Sequence, residues 1–305
     1  MTFKPETRIV SFDMTEDAQR LALEILTEPI ERDGMFWRTP GYAAKIENWN
    51  ELAAENEIHA AIAANNEAEE REQSRSTIEF LLTQVKPGMR VLDVGCGYGR
   101  LAKYLLPQRT LEAYIGLDSS RVMLKKFQER YAARPEEQGT PLVLVNADID
   151  RLPMRDASVD VCIVSAVFLH NHKDVTRRSV AEIRRVLKPG GRLLALRSFP
   201  NARSLDGLQG GAYLLYLKLI GQGDKNGPVR HFSKGEIKDL LKDFRELTFM
   251  PIGFALFPKT ILGLPSFLIG PLRRFHRRVH AFLGRHTSQK FQAEFGTNFD
   301  VIARK

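Results

Sequence analysis

VLDVGCGYGR, residues 91–100, sets Gly95, Gly97 and Gly99 at alternate positions directly behind an apolar run, and a helical RLAKYLL follows. A strand that stops at glycines before a helix is a ligand-cradling arrangement, and two ligand readings compete for it. A dinucleotide loop follows Gly-x-Gly-x-x-Gly and rests a pyrophosphate on the next helix. Here the third glycine of that pattern falls on Arg100, and Asp93 stands just ahead of the loop. A carboxylate there opposes a pyrophosphate but suits an ammonium group. The glycines let such a ligand approach the backbone, where any Cβ would fill the space.

The segments beyond the loop supply two more polar strand ends. AYIGLD, from Ala113, reads as a second strand and ends in Asp118, nineteen residues past Gly99. An acid there can accept hydrogen bonds from both hydroxyls of a ribose. PLVLVNAD is a third strand; Asp148 suits an exocyclic adenine amine, and Ile149 offers an apolar face to the ring. VDVCIVSAV and RLLALRSF are the fourth and fifth strands, RELTFMPI a weaker sixth near residue 248, and NFDVIARK a seventh. Helical VMLKKFQERYAA and SVAEIRRVL alternate with them, and Lys188-Pro189-Gly190-Gly191 reads as a turn into strand five. Short apolar strands alternating with helices predict a parallel sheet covered on both faces. Three strand ends thus meet ammonium, ribose and adenine, the groups that S-adenosylmethionine carries without a phosphate.

On VLDVGCGYGR, YIGLDSS, NADIDRLPMRDASVDVCIVS and EIRRVLKPGGRLLAL, the chain resembles the class I S-adenosylmethionine-dependent methyltransferases, in the branch of the ubiquinone and menaquinone biosynthesis enzymes. The likeness covers roughly residues 75–200. It implies an α/β, Rossmann-like sheet of seven strands with helices on both faces, the last strand antiparallel between the fifth and sixth. It further implies that Asp93, Gly95, Gly97 and Gly99 hold the methionine end, Asp118 the ribose, and Asp148 with Ile149 the adenine, with Ser119 also in the cofactor-binding set. Ser165, at the end of strand four, completes the expected cofactor-binding set. Residues 1–74 form a helical N-terminal extension or lid. Residues 75–305 form the methyltransferase domain, with 251–292 an apolar and basic helical insertion before the last strand. Asp156 and Asp160 are assigned to a turn and a strand start.

The remaining readings concern the acceptor. Transfer from a sulfonium is largely alignment, worth roughly 7–11 kcal/mol of barrier, and a general base adds about 10²–10⁴-fold for a hydroxyl or acidic carbon. His170, in FLHNHKD after strand four, is read either as that base or as a packing histidine; His172 is the weaker choice. His231, in VRHFSKGEI, is a second candidate, although a capping box from Ser233 to Glu236 explains the local sequence without it. Ser165-Ala166-Val167-Phe168 replaces the Asp/Asn-Pro-Pro-aromatic run of nucleobase amino-methyltransferases, and no aromatic-rich basic stripe marks an RNA-binding module. The expectation is O- or C-methylation of a small, largely apolar or lipid-linked acceptor. An RNA or protein methyltransferase, an NAD-binding oxidoreductase, and a non-catalytic S-adenosylmethionine-binding module remain the alternatives.

Composition sets the frame. The 305 residues carry 45 Lys+Arg against 37 Asp+Glu, a net +8 that suits an anionic substrate, nucleic acid or membrane surface. Cys96 and Cys162 sit far apart without ligand spacing, which predicts buried thiols in a reducing, cytoplasmic setting and no metal site. The N-terminus lacks an apolar signal core. Pro251–Leu272 is apolar but broken by Pro258, Pro265 and Pro271, so it is not a spanning helix. Leu268, Leu272, Phe275, Val279 and Phe282 then recur at helical spacing beside Arg273, Arg274, Arg277 and Arg278, with Arg285 beyond. That helix either docks on an anionic membrane, making the protein peripheral, or packs its apolar side on the sheet. Trp37, Tyr42 and Trp49 either cover the acceptor or anchor the extension.

Overall fold

The computed structural model describes residues 15–27, 31–32, 35–37, 67–134, 139–204, 207–208, 211, 219, 230–252, 275, 278–279, 282 and 285–305. Two units separate by their internal packing: Met1–Cys162 with Arg185–Lys188, and Ile163–Arg184 with Pro189–Lys305.

The first unit opens with α1 (Glu16–Ile25), capped by the Thr15 hydroxyl, which accepts from the Ala18 N–H. Ala18, Leu21, Ala22 and Ile25 form its buried stripe at helical spacing. Arg155 N–H donates to the Ile25 carbonyl and Thr27 N–H to that of Pro153, so the extension is tied by backbone to the RLPMRD segment. Two short strands follow, β1 (Glu31–Arg32) and β2 (Met35–Trp37). They depart from the reading of residues 1–74 as helical: β2 pairs parallel with residues of the third sequence-predicted strand, Phe36 opposite Val145 and Trp37 opposite Asn146. Met35 and Phe36 are buried there, and three residues are too few to display the alternation by which strands are read.

α2 (Glu67–Gln84) leads to β3 (Arg90–Val94), α3 (Ala102–Leu105), β4 (Ala113–Asp118), α4 (Arg121–Ala132), β5 (Leu142–Asn146) and β6 (Val159–Ser165). β4 lies parallel between β3 and β5, giving the order β1-β2-β5-β4-β3 within the unit. β3 and β5 are buried along almost their whole length, as expected of parallel strands covered on both faces. α4 starts at Ser120, whose hydroxyl accepts from Met123 N–H, and buries Met123, Phe127 and Tyr131 at four-residue spacing. Asp160 anchors the start of β6: its Oδ2 accepts the Arg90 N–H at 2.9 Å and its carboxylate holds Lys188. Asp156 pairs with Arg185 at 2.7 Å. Both acids are thus structural, as read from the sequence.

The second unit contains a short 3-10 turn (Phe168–His170), α5 (Lys173–Val186), β7 (Leu187–Pro200), α6 (Lys234–Leu240), β8 (Glu246–Ile252), α7 (Gln289–Phe295) and β9 (Asn298–Arg304). β9 runs antiparallel to both β7 and β8 and lies between them. The expected placement of the last strand is therefore present. β7 begins earlier than expected, at Leu187, so the Lys188–Gly191 run is strand rather than a separate turn. Gly190 takes φ 77°, and its N–H donates to the Lys305 carbonyl, which keeps the ladder bonded through the irregularity. Phe168, Phe199 and Phe232 form a buried ring cluster with centroid spacings of 5.4 and 5.1 Å. Ser233 and Glu236 make the predicted reciprocal cap at the start of α6.

Candidate functional site

The glycine loop leaves β3 with Gly95, Gly97 and Gly99 all left-handed, at φ 73°, 54° and 78°. A side chain disfavours that region, which explains the residue type without invoking a ligand. The three positions nevertheless differ. A Cβ on Gly99 would stand 2.4 Å from the Phe127 ring, so this glycine serves the packing of α4. A Cβ on Gly97 would meet nothing within 4 Å. Open space beside the backbone is therefore present at Gly97, whereas at Gly99 the missing Cβ makes room for Phe127.

Asp118 organises the loop from the end of β4. Its Oδ2 accepts the Gly97 N–H and its Oδ1 the Ser120 N–H, each at 2.8 Å. Burial pushes its carboxyl above the usual range, while the N–H donors of Ser120, Gly97 and Ser119 oppose that shift. Two residues missed by the sequence reading lock the surroundings. Asn146 donates its Nδ2 to the carbonyls of Asp118 and Ser119, both at 2.9 Å. Arg130, in the last turn of α4, donates to the carbonyls of Tyr98 and Gly99. The available signal was faint: Asn146 is a polar residue ending an apolar strand, and Arg130 looks like any helix-surface arginine.

Asp93 is 2% exposed, and its Oδ2 accepts the Tyr114 hydroxyl at 2.7 Å. Burial lifts its carboxyl to about 6; the Tyr114 hydrogen bond and the Arg100 charge pull the other way, and Asp118 adds to the rise. Tyr114 lies wholly inside, one strand over from Asp93. Asp148 and Ile149 follow β5 in a turn closed by Arg151 N–H to the Asp148 carbonyl, both half-buried. The first unit thus brings together the loop, Asp93, Asp118, Ser119 and the strand end carrying Asp148. Cys96 is buried with its thiol pushed up by burial and by Asp118, so it is no thiolate nucleophile.

The second unit carries Ser165, His170 and His231, each half-buried. His170 ends the 3-10 turn. His231 precedes α6, and the flanking residues bond backbone to backbone: Arg230 N–H to the Leu169 carbonyl and Phe232 N–H to that of Pro200. His170 and His231 therefore lie on segments pinned one residue apart. Among the described residues no three His, Cys, Asp or Glu side chains gather to hold a metal ion.

A glycine turn after the first long parallel strand and an acid ending the next form an arrangement that nucleotide-binding α/β proteins use. Residues 92–195 match the family described as Methyltransferase domain. Within those residues the chain is similar to the class I, S-adenosylmethionine-dependent methyltransferases. Over 114 residues the chain is 37% identical to a ubiquinone/menaquinone biosynthesis C-methyltransferase of Bordetella avium, covering 37% of this chain and 42% of that protein. Over 108 residues it is 39% identical to phthiotriol/phenolphthiotriol dimycocerosates methyltransferase 1 of Mycobacterium ulcerans, covering 35% and 36%. The chain therefore spans less than half the length of these curated relatives. The fold is shared with a methyltransferase of Haloferax volcanii solved in complex with the Trm112 methyltransferase activator. That match has a TM-score of 0.52 and 17% identity, and covers 84% of this chain and 96% of that one.

Proposed function

We propose that the chain transfers the methyl group of S-adenosylmethionine to oxygen or carbon of a small, largely apolar or lipid-linked acceptor. The observation that carries the reading is Asp118, a partly buried residue at a strand end whose two oxygens brace Gly97 and Ser120. Both oxygens keep lone pairs for ribose hydroxyls. Open space at Gly97 fits a ligand lying against the backbone. When bound, the sulfonium supplies an activated methyl group, so the residues of the chain need to align, desolvate and, for a hydroxyl or acidic carbon, remove a proton. His170 is the proposed base and His231 the second choice. Ser165, Ser119, Asp148 and Ile149 are proposed cofactor contacts.

Relatives that include a phthiotriol dimycocerosates and a quinone methyltransferase favour a lipidic acceptor over RNA or protein. No helix among the described residues is long and apolar enough to cross a membrane. A cytoplasmic, membrane-peripheral location fits this reading, and the exposed faces of Phe275 and Phe282, 53% and 57%, favour docking over packing of that helix. Arg278 and Arg285 are exposed beside them, while Arg273, Arg274 and Arg277, like Tyr42 and Trp49, lie outside the described residues. Each basic residue near an anionic surface is worth about 1 kcal/mol. Co-sedimentation with phosphatidylglycerol vesicles is therefore expected to fall with salt and with Arg278→Gln and Arg285→Gln together; retention indifferent to both would remove membrane docking.

The deciding experiment combines calorimetry with S-adenosylmethionine, its demethylated product and NAD with a labelled-methyl assay on lipid, RNA, protein and small-metabolite fractions. Binding of the first two and label in lipid or small metabolites are expected. Label mainly in RNA or protein overturns the acceptor class, NAD binding alone points to an oxidoreductase, and cofactor binding without any transfer points to a binding module.

A further inference from the structure

The second unit holds an arginine whose surroundings are built but incomplete. The Arg230 guanidinium stands 4.2 Å above the Phe232 ring, a face-on cation–π placement on a fully buried aromatic. Its backbone is fixed by Arg230 N–H to the Leu169 carbonyl at 2.8 Å, beside His170. The side chain is only 20% exposed, and its Nη1 is buried without a hydrogen-bond partner. Buried polar atoms are nearly always paired, and an exception at a charged group points to something that completes it.

Glu236 does not complete it. Its Oε1 is 3.4 Å from Arg230 Nη2, well beyond the 2.7–2.9 Å of a strong ionic hydrogen bond. Its Oε2 is committed to the N-cap, accepting the Ser233 N–H at 2.9 Å and the Ser233 hydroxyl at 3.0 Å. Those bonds, the Ser233 N–H first, hold the Glu236 carboxyl below its usual range, with Arg230 and Lys173 adding smaller pulls in the same direction, so the cap rather than the arginine is its main partner. The guanidinium thus keeps a flat fork, Nη1 and Nη2, that can turn over the Phe232 face toward an incoming anion at the cost of one loose contact.

We propose that Arg230 binds an oxyanion, a carboxylate or phosphate group, on the methyl acceptor. The substrate class becomes an apolar molecule with an acidic end, held by a bidentate arginine next to the proposed base. This rests on the methyl-transfer reading for its role, though not for its measurement. A stacked arginine with a committed neighbouring acid is a recognition device for anions, whereas a purely structural arginine would close its fork on Glu236.

The test is side-chain NMR of the full chain labelled with 15N-arginine, the Arg230 signal being identified by its loss in Arg230→Lys. Sodium phosphate and sodium acetate are titrated separately at constant ionic strength. A saturable shift of that signal is expected with at least one: phosphate alone assigns a phosphorylated acceptor, acetate alone a carboxylate, and both a general oxyanion fork. Phosphate or acetate should also raise the melting temperature of the wild type more than that of Arg230→Lys, which keeps the charge and loses the fork. No saturable shift with either anion, or equal stabilisation of both proteins, overturns the proposal. Calorimetry with S-adenosylmethionine on the same samples separates the two readings, since its failure counts against methyl transfer while the anion titration decides Arg230 on its own.

Discussion

Left-handed backbone occurs at two stretches of this molecule next to proposed site residues, and the residues that adopt it differ in kind. In the loop after β3 it falls on Gly95, Gly97 and Gly99; at the turn after β6 and the bulge of β7 it falls on Ala166 and Arg197, at φ 57° and 50°, while Gly88, Ala157 and Gly190 adopt it elsewhere. Glycine adopts that region at no steric cost, whereas an L side chain there costs roughly 1–2 kcal/mol. The glycine loop is unstrained and braced by Asp118 and Arg130. The second stretch is strained and held by specific bonds. Ala166 N–H donates to the Leu196 carbonyl, and Ser198 Oγ accepts the Val167 N–H. Arg197 N–H donates to Asp300 Oδ1 at 2.6 Å. Between Ala195 and Phe199 the β7–β9 register shifts, so the strain sits in a bulge. Such strain persists only where neighbouring bonds enforce it, as they do here.

Breaking the unstrained side gives the largest effect. Gly99→Ala must fit a methyl group 2.4 Å from Phe127 at φ 78°, combining overpacking of about 1–3 kcal/mol with the left-handed cost of about 1–2. A loss near 3 kcal/mol in urea denaturation is expected. Gly97→Ala carries only the second cost, so its stability should fall by about 1 kcal/mol while S-adenosylmethionine affinity falls further. Equal stability losses for the two would remove the distinction between a packing glycine and a ligand-facing one.

Asp118→Ala comes next. A hydrogen bond to a charged group is worth about 1.5–3 kcal/mol, so calorimetry should give at least tenfold weaker S-adenosylmethionine binding. Unchanged affinity would show that the acid only braces the loop.

The contrast also explains what could be read in advance. Glycine runs and acids ending apolar strands announce their roles because few other residues fit, so the loop, Asp118 and the order of the long strands were legible. Arg197 and Ala166 announce nothing, since their conformation is imposed by Asp300 and Ser198 from other parts of the chain. The same holds for β2, whose three residues become a strand only against β5, and for Arg130 and Asn146, which act through backbone carbonyls that any side chain would present. Arg230 is the sharpest case. VRHFS reads as a helix approach, and only the stacking on Phe232 and the prior commitment of Glu236 single it out.

A pH effect sharpens the comparison within the loop. Asp93 is lifted to about 6 by burial, from an ordinary 3.8, so between these values the unfolded chain is ionised and the folded one is protonated. Stability conferred by the protonated acid is therefore lost as pH rises from about 4 to 6. Binding of a cationic ligand has the opposite sign, because an ammonium group gains its carboxylate partner only above about 6. S-adenosylmethionine should then bind several-fold to about tenfold more weakly at pH 5 than at pH 7.5. Tyr114→Phe removes the hydrogen bond that favours the charged form, so the midpoint should move upward. A flat profile in both proteins would mean that Asp93 does not sense the ligand charge.

The smallest effect tests the strained side directly. Ala166→Gly relieves a left-handed cost of about 1–2 kcal/mol but returns about 0.4–1 kcal/mol of freedom to the unfolded chain. The net stabilisation should be under about 1 kcal/mol, readable as a higher urea midpoint with an unchanged slope. Ala166 adjoins Ser165 and precedes the Phe168–His170 turn, so loosening it should blur the position of His170. Methyl transfer is then expected to fall while S-adenosylmethionine affinity largely holds, because the loop that carries Gly97 and the β4 end that carries Asp118 are untouched. A variant that is both more stable and equally active would show that the strain is an accident of the chain path. One that is less stable would show that the Ala166 methyl group is packed rather than strained.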